Sequence, residues 1–162
     1  MKVNREQPHL LVLPEDDANR QIFNGFINHL SVNKSAIKDL PIANGWIRAV
    51  EQLRKNHAPG MRQYLQRRIV LIVDFDQDEN RFSYVERQIP DDLKERVFIL
   101  GVQSNPEDLK RATKKSFEDL GKALAQDCSD NTNELWGHEL LTHNKTELER
   151  MASFVKSILL NK

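Results

Sequence analysis

The apolar run Leu71-Ile-Val-Asp74-Phe-Asp76 ends on two carboxylates spaced two residues apart. Side chains two apart on a strand share a face, so a strand continuing through this run would hold Asp74 and Asp76 side by side at its exit. Like charges held that close repel, and a divalent cation, a proton or a phosphoryl-transfer site exploits such a pair. Two solvated loop acids are the plainer alternative. A second acidic group, Glu15-Asp-Asp17, follows the apolar run His9 to Leu13, and Glu118 and Asp119 open a later helical segment. If the strands that end near Glu15 and Asp74 are neighbours, their acids converge. Oxygen ligands of that density suit Mg²⁺ or Mn²⁺ and leave positions for water and a phosphate, whose charge a cation stabilises in transfer or hydrolysis. Asp74 and Asp76 are then the first candidate ligands, Asp17 or Glu15 completes the set, and Glu118 is a possible further acid. Acids at a helix start also cap backbone N–H groups, and the two roles coexist.

The elements that would position these acids alternate. His9–Leu13 reads as a buried strand; Asp16 or Asp17 caps a helix whose Ile22, Phe23, Phe26, Ile27 and Leu30 recur at helical spacing. A weak strand, 36–40, precedes an amphipathic helix after Gly45 that ends in the loop residues 57–60. Residues 68–75 form the strongest strand, with the unbroken, mostly β-branched Ile69-Val-Leu-Ile-Val73 suited to burial on both faces. A helix over 79–88 stops at Pro90, and a fourth strand covers 96–101. Ser104 with Glu107, and Thr146 with Glu149, match capping boxes ahead of two helices, while 116–126 and 132–141 read as helices between them. The pattern predicts a Rossmann-like three-layer α/β domain with about four mostly parallel strands, a core over about 8–126 and a helical extension over about 130–162. In such sheets ligands bind at the carboxyl ends of the strands, where Glu15 and Asp74 fall.

Composition narrows the classes. The 162 residues are enough for one domain with a real core, and 39% hydrophobic with 30% charged residues is a globular balance, not a disordered one. No apolar stretch reaches the ~20 residues of a membrane span and no signal-peptide core precedes Pro8, so an intracellular, cytoplasmic protein is expected. Cys128 is the only cysteine, which excludes an internal disulfide and a cysteine zinc site. Net charge is zero, so contact with nucleic acid would rest on local groups such as Arg62, Arg67 and Arg68 or Lys110, Arg111, Lys114 and Lys115, which also suit solvated faces. His138 and His143 lack the i, i+4 spacing of a zincin helix and read as turn residues, and Trp46 and Trp136 read as core.

Glu15-Asp-Asp17, Ile37-Lys-Asp39 with Gly45, Asp74-Phe-Asp76 and Ser116-Phe-Glu-Asp-Leu120 together resemble the Toprim domain of topoisomerases, primases and OLD-type nucleases, and more closely small stand-alone bacterial Toprim-like proteins. The resemblance spans most of the chain. It implies a Mg²⁺-dependent site acting on phosphodiesters of DNA or RNA, with Asp74 and Asp76 on the metal and Glu15 as acid/base. The Toprim pattern places a Glu-Gly at the strand end, where the register matching Glu-Asp-Asp puts Leu13 and Pro14 here. Either Glu15 serves in a shifted register, or the domain is degenerate and works as an interaction module with a protein partner. Val12-Leu-Pro-Glu15-Asp-Asp17-Ala-Asn-Arg20 is also similar to the start of a response-regulator receiver, which would make Asp74 a phosphoacceptor and Ser104 its hydroxyl neighbour. That pattern lacks a fifth strand ending in Lys-Pro here.

Overall fold

A computed structural model describes residues 3–161. Four parallel strands, β1 (His9–Pro14), β2 (Ile37–Asp39), β3 (Arg67–Ile72) and β4 (Val97–Leu100), form one sheet in the order β2-β1-β3-β4. Because both faces are covered, the strands read as continuous apolar runs whose residues alternate between two cores. Leu11, Leu13, Ile69, Leu71 and Ile99 pack against α2 (Trp46–Gln52), α3 (Ala58–Gln63) and α4 (Arg81–Gln88). Leu10, Val12, Val70 and Phe98 pack on the other side against α1 (Asp17–Ile27), α6 (Phe117–Asp130) and α7 (Lys145–Phe154). The short α5 (Pro106–Thr113) joins α6 around Leu109 and Leu120. This is the Rossmann-like three-layer α/β architecture that the alternation of elements predicts. No helix among the described residues is long and apolar enough to cross a membrane.

The helices α1 and α6 touch backbone to backbone at two glycines. A Cβ on Gly25 would lie 1.9 Å from the Glu118 carbonyl oxygen, and one on Gly121 would lie 1.8 Å from that of Ile22. The start of α6, with Glu118, is thereby pinned to the C-terminal half of α1.

The free edge of β4 is closed by side chains. The Asn144 amide donates to the Gly101 carbonyl at 2.9 Å while its oxygen accepts from the Gly101 N–H at 3.1 Å. Glu147 accepts from the Ile99 N–H at 2.9 Å, and Arg150 donates to the carbonyls of Val97 and Lys94. Asn144 just ahead of α7, and Glu147 and Arg150 within it, are three apart and thus serve residues two apart along the β4 edge, covering groups that would otherwise leave the edge prone to pairing, without a fifth strand.

Five local expectations differ from what the fold adopts. Residues 57–60, read as a loop, are helical: the path from α2 continues through a π-helical turn, Leu53–His57, directly into α3. Residues 132–141 form turns and not a helix, because the buried Asp127 carboxylate accepts from the N–H groups of Glu134, Leu135 and Trp136 and from the Thr132 hydroxyl. Asn105, not Ser104, caps α5, since its side chain accepts from the Asp108 N–H. The last helix begins at Lys145, ahead of the Thr146-Glu149 box, because Asn144 is drawn to the β4 edge. The regular part of β3 ends at Ile72, although the Val73 and Phe75 N–H groups still bond to the carbonyls of Leu100 and Val102.

Candidate metal centre

β1 runs through Pro14, so Glu15 stands directly at its end. Its N–H donates to the Ile72 carbonyl at 2.8 Å, and its carbonyl accepts from the N–H groups of Asn44 and Gly45. That loop holds Asn44 at φ 63 and Gly45 at φ 135, the latter a conformation only glycine adopts readily. Main-chain bonds from β3 on one side and the loop before α2 on the other therefore fix Glu15. Its Oε2 accepts from the Asp74 N–H at 3.0 Å, which brings the ends of β1 and β3 into direct contact.

Asp16 caps α1, accepting from the Asn19 N–H at 3.0 Å. The Asn19 side chain then spans the cleft, donating to Asp16 at 3.0 Å and to Asp74 Oδ1 at 2.9 Å. Carboxylate oxygens of Glu15, Asp16 and Asp74 lie within 4.8 Å of one another. Glu15 is 7% exposed and Asp74 9% exposed, so little water screens them. Burial is the main reason that Asp74 holds its proton, with a pKa pushed up to about 8; the Asn19 hydrogen bond opposes this, and the charges of Glu15 and Asp16 reinforce it. Glu15 is raised in the same direction, again chiefly by burial, with the Asp74 N–H opposing. Near neutral pH the pair retains a proton that a cation would displace.

The other sequence candidates lie outside this cluster. Asp76 and Gln77 adopt left-handed φ values of 48 and 57, so the strand alternation that would align Asp76 with Asp74 is broken. Asp76 turns instead to Arg81 Nη1 at 3.1 Å and remains largely exposed. The same Nη1 donates to the Asp74 carbonyl at 2.6 Å, and the guanidinium lies 4.5 Å from the Trp46 ring centroid. Asp17 points outward to Arg20 and Gln21, which hold its carboxyl below the usual range. Glu118 is exposed on the first turn of α6. Cys128 is buried enough that its thiol is pushed up to about 11, which leaves it protonated and unreactive.

Two residues central to the site, Asn19 and Arg81, carried no signal in the acidic pattern. Asn19 was legible in principle: it lies three residues after the Asp16 cap, the spacing at which a helix returns a side chain to the same side. Nothing local marks Arg81, whose partners come from the β3 exit.

Comparison with known protein families, with curated proteins and with solved structures finds no match to this chain.

Proposed function

We propose that Glu15, Asp16 and Asp74 form a divalent-cation site, for Mg²⁺ or Mn²⁺, that serves phosphoryl chemistry on the phosphodiesters of DNA or RNA, as the Toprim resemblance implies. The observation that carries this reading is the convergence of three carboxylates from two adjacent strand ends, two of them buried and none in a salt bridge among the described residues. All the donors are hard oxygens, which fits those cations and not zinc or copper. Bound there, the cation would supply charge stabilisation to phosphoryl oxygens. Asp74 is the central ligand, oriented by Asn19 and held at its backbone by Arg81. With its proton displaced by the cation, Glu15 would be a base of raised proton affinity at the strand end, which suits it to take up the proton of an acid/base step. Asp76 stands beside the site on Arg81 and reaches the cluster only by leaving that pair.

The test is a Mg²⁺ and Mn²⁺ titration followed by calorimetry, run with a cleavage assay on single-stranded and duplex DNA and RNA. Metal-dependent cleavage that disappears in Asp74→Ala is the expected result. Cleavage unchanged in that variant removes the assignment; binding of neither cation and no cleavage leaves the interaction module.

A receiver-like phosphoacceptor is the second reading, because the cluster takes two acids from the β1 exit and one from the β3 exit. In addition, Ser104 after β4 is buried with a hydroxyl that has no hydrogen-bond partner among the described residues. Against it stands the sheet edge at β4, where α7 side chains occupy the place of a fifth strand. Acylphosphate formation on Asp74 with acetyl phosphate would favour it; its absence discards it.

A further inference from the structure

Away from the carboxylates, Arg5, Lys38, His57 and Arg67 face a pocket of about 330 Å³ floored by Leu11 and Leu40. Arg67 opens β3 beside His9, the first residue of β1, so this pocket lies toward the amino ends of the strands whose carboxyl ends hold Glu15 and Asp74. Among the described residues, none of the four cationic or titratable side chains pairs with a carboxylate.

Neutral groups immobilise Arg67. Its Nε donates to His9 Nε2 at 3.0 Å, and the His9 Nδ1 lies 2.8 Å from the Gln7 carbonyl, which fixes His9 as the neutral tautomer with its proton on Nδ1. The guanidinium stacks 4.9 Å from the Tyr64 ring centroid, and Arg5 lies over the same ring at 5.2 Å while donating to the Tyr64 hydroxyl. Gly60 leaves room for the head group, since a Cβ there would stand 2.8 Å from Arg67 Nη1. Only the Nε of this guanidinium donates to the protein among the described residues, so the terminal nitrogens are left for a ligand.

His57 reaches the same pocket from the end of a π-helical turn, Leu53–His57, between α2 and α3. Such single turns recur at functional sites, and here Pro59 just beyond it lacks the N–H that would continue regular pairing. Burial lowers the proton affinity of both His57 and Arg67, and the neighbouring positive groups add to this at each: Arg67 for His57, Arg5 for Arg67. A half-buried, rigid and unpaired guanidinium among other cations costs free energy that a tetrahedral oxyanion would recover through fork-shaped, charge-assisted hydrogen bonds.

We infer that this pocket binds a phosphate group, held by Arg67 with Arg5, Lys38 and His57 around it, either as inorganic phosphate or as the monoester of a small phosphorylated ligand. The inference stands independently of the carboxylate site and of the function proposed for it.

The experiment titrates the full chain, metal-free, with inorganic phosphate, adenosine monophosphate and adenosine, followed by amide NMR shifts. Phosphate and the monophosphate should shift resonances around His57 and Arg67, and adenosine should not. The double variant Arg5→Gln with Lys38→Gln, both exposed positions where the fold is retained, should weaken binding roughly tenfold. Tighter binding of the monophosphate than of free phosphate identifies a monoester as the ligand, and equal or weaker binding identifies phosphate itself. The inference is overturned by the absence of shifts with either phosphate, by adenosine binding as well as its monophosphate, or by unchanged affinity in the double variant.

Discussion

Asp74 holds a proton at the place where the proposed site would hold a cation. Its carboxyl is buried, faces two other acids and receives one side-chain amide, so its proton leaves only near pH 8 instead of near the ordinary 3.8. A folded-state pKa above the unfolded value means that the folded chain keeps a proton that the unfolded chain has lost. Stability contributed by this group is therefore full below about pH 4, falls as the pH rises toward 8, and stays low above that. Replacing Asp74 with Asn keeps an oxygen to accept from Asn19 and removes the ionisation. The variant should be more stable than the parent at pH 8.5 by roughly 1–3 kcal/mol and show a flatter pH profile in denaturant melts. An equal or lower stability at that pH would mean that the carboxyl is less burdened than its surroundings imply. The pairing of Asp74 with Glu15 was readable from the rule that open parallel sheets gather ligands at strand ends. The exclusion of Asp76 was not, because its left-handed backbone, shared with Gln77, has no glycine to announce it.

The start of α7 acts as a substitute strand. Asn144 pairs both backbone groups of Gly101, Glu147 takes the Ile99 N–H and Arg150 reaches the Val97 carbonyl, and Glu147 tolerates burial because Arg150 and the Ile99 N–H share its charge. Truncating Asn144 to Ala leaves both backbone groups of Gly101 unpaired inside the protein. A loss of about 2–4 kcal/mol in chemical denaturation is predicted, with concentration-dependent self-association as the β4 edge opens. A loss below about 0.5 kcal/mol would show that water replaces the amide there. In the sequence these three residues look like the ordinary polar side of an amphipathic helix, since the partner that gives them meaning is a strand more than forty residues away. The same limit hid the turns over 132–141, which Asp127 organises from the preceding helix. Elements whose cause is local, such as β3 with its β-branched run and α1 with its Asp16 cap, were legible from residue types alone.

Across the whole molecule, a net charge of zero conceals two opposed concentrations. Acids meet at the carboxyl ends of β1 and β3, and cations with no salt bridge among the described residues meet toward their amino ends. Architecture, being set by alternating runs and caps, could be read from the chain; this separation of charge could not, because Arg5, Lys38, His57 and Arg67 come from four distant segments that only the sheet brings together. The cation site at Glu15, Asp16 and Asp74 is the claim on which the functional account rests. It is tested most directly by titrating the chain with Mg²⁺ at pH 7 in two buffers of different ionisation enthalpy, which separates the heat of binding from the heat of proton release. The account predicts one ion bound per chain with release of a proton from the Glu15–Asp74 pair, both lost in Asp74→Asn. Absence of binding, binding without proton release, or binding unchanged in that variant would contradict it.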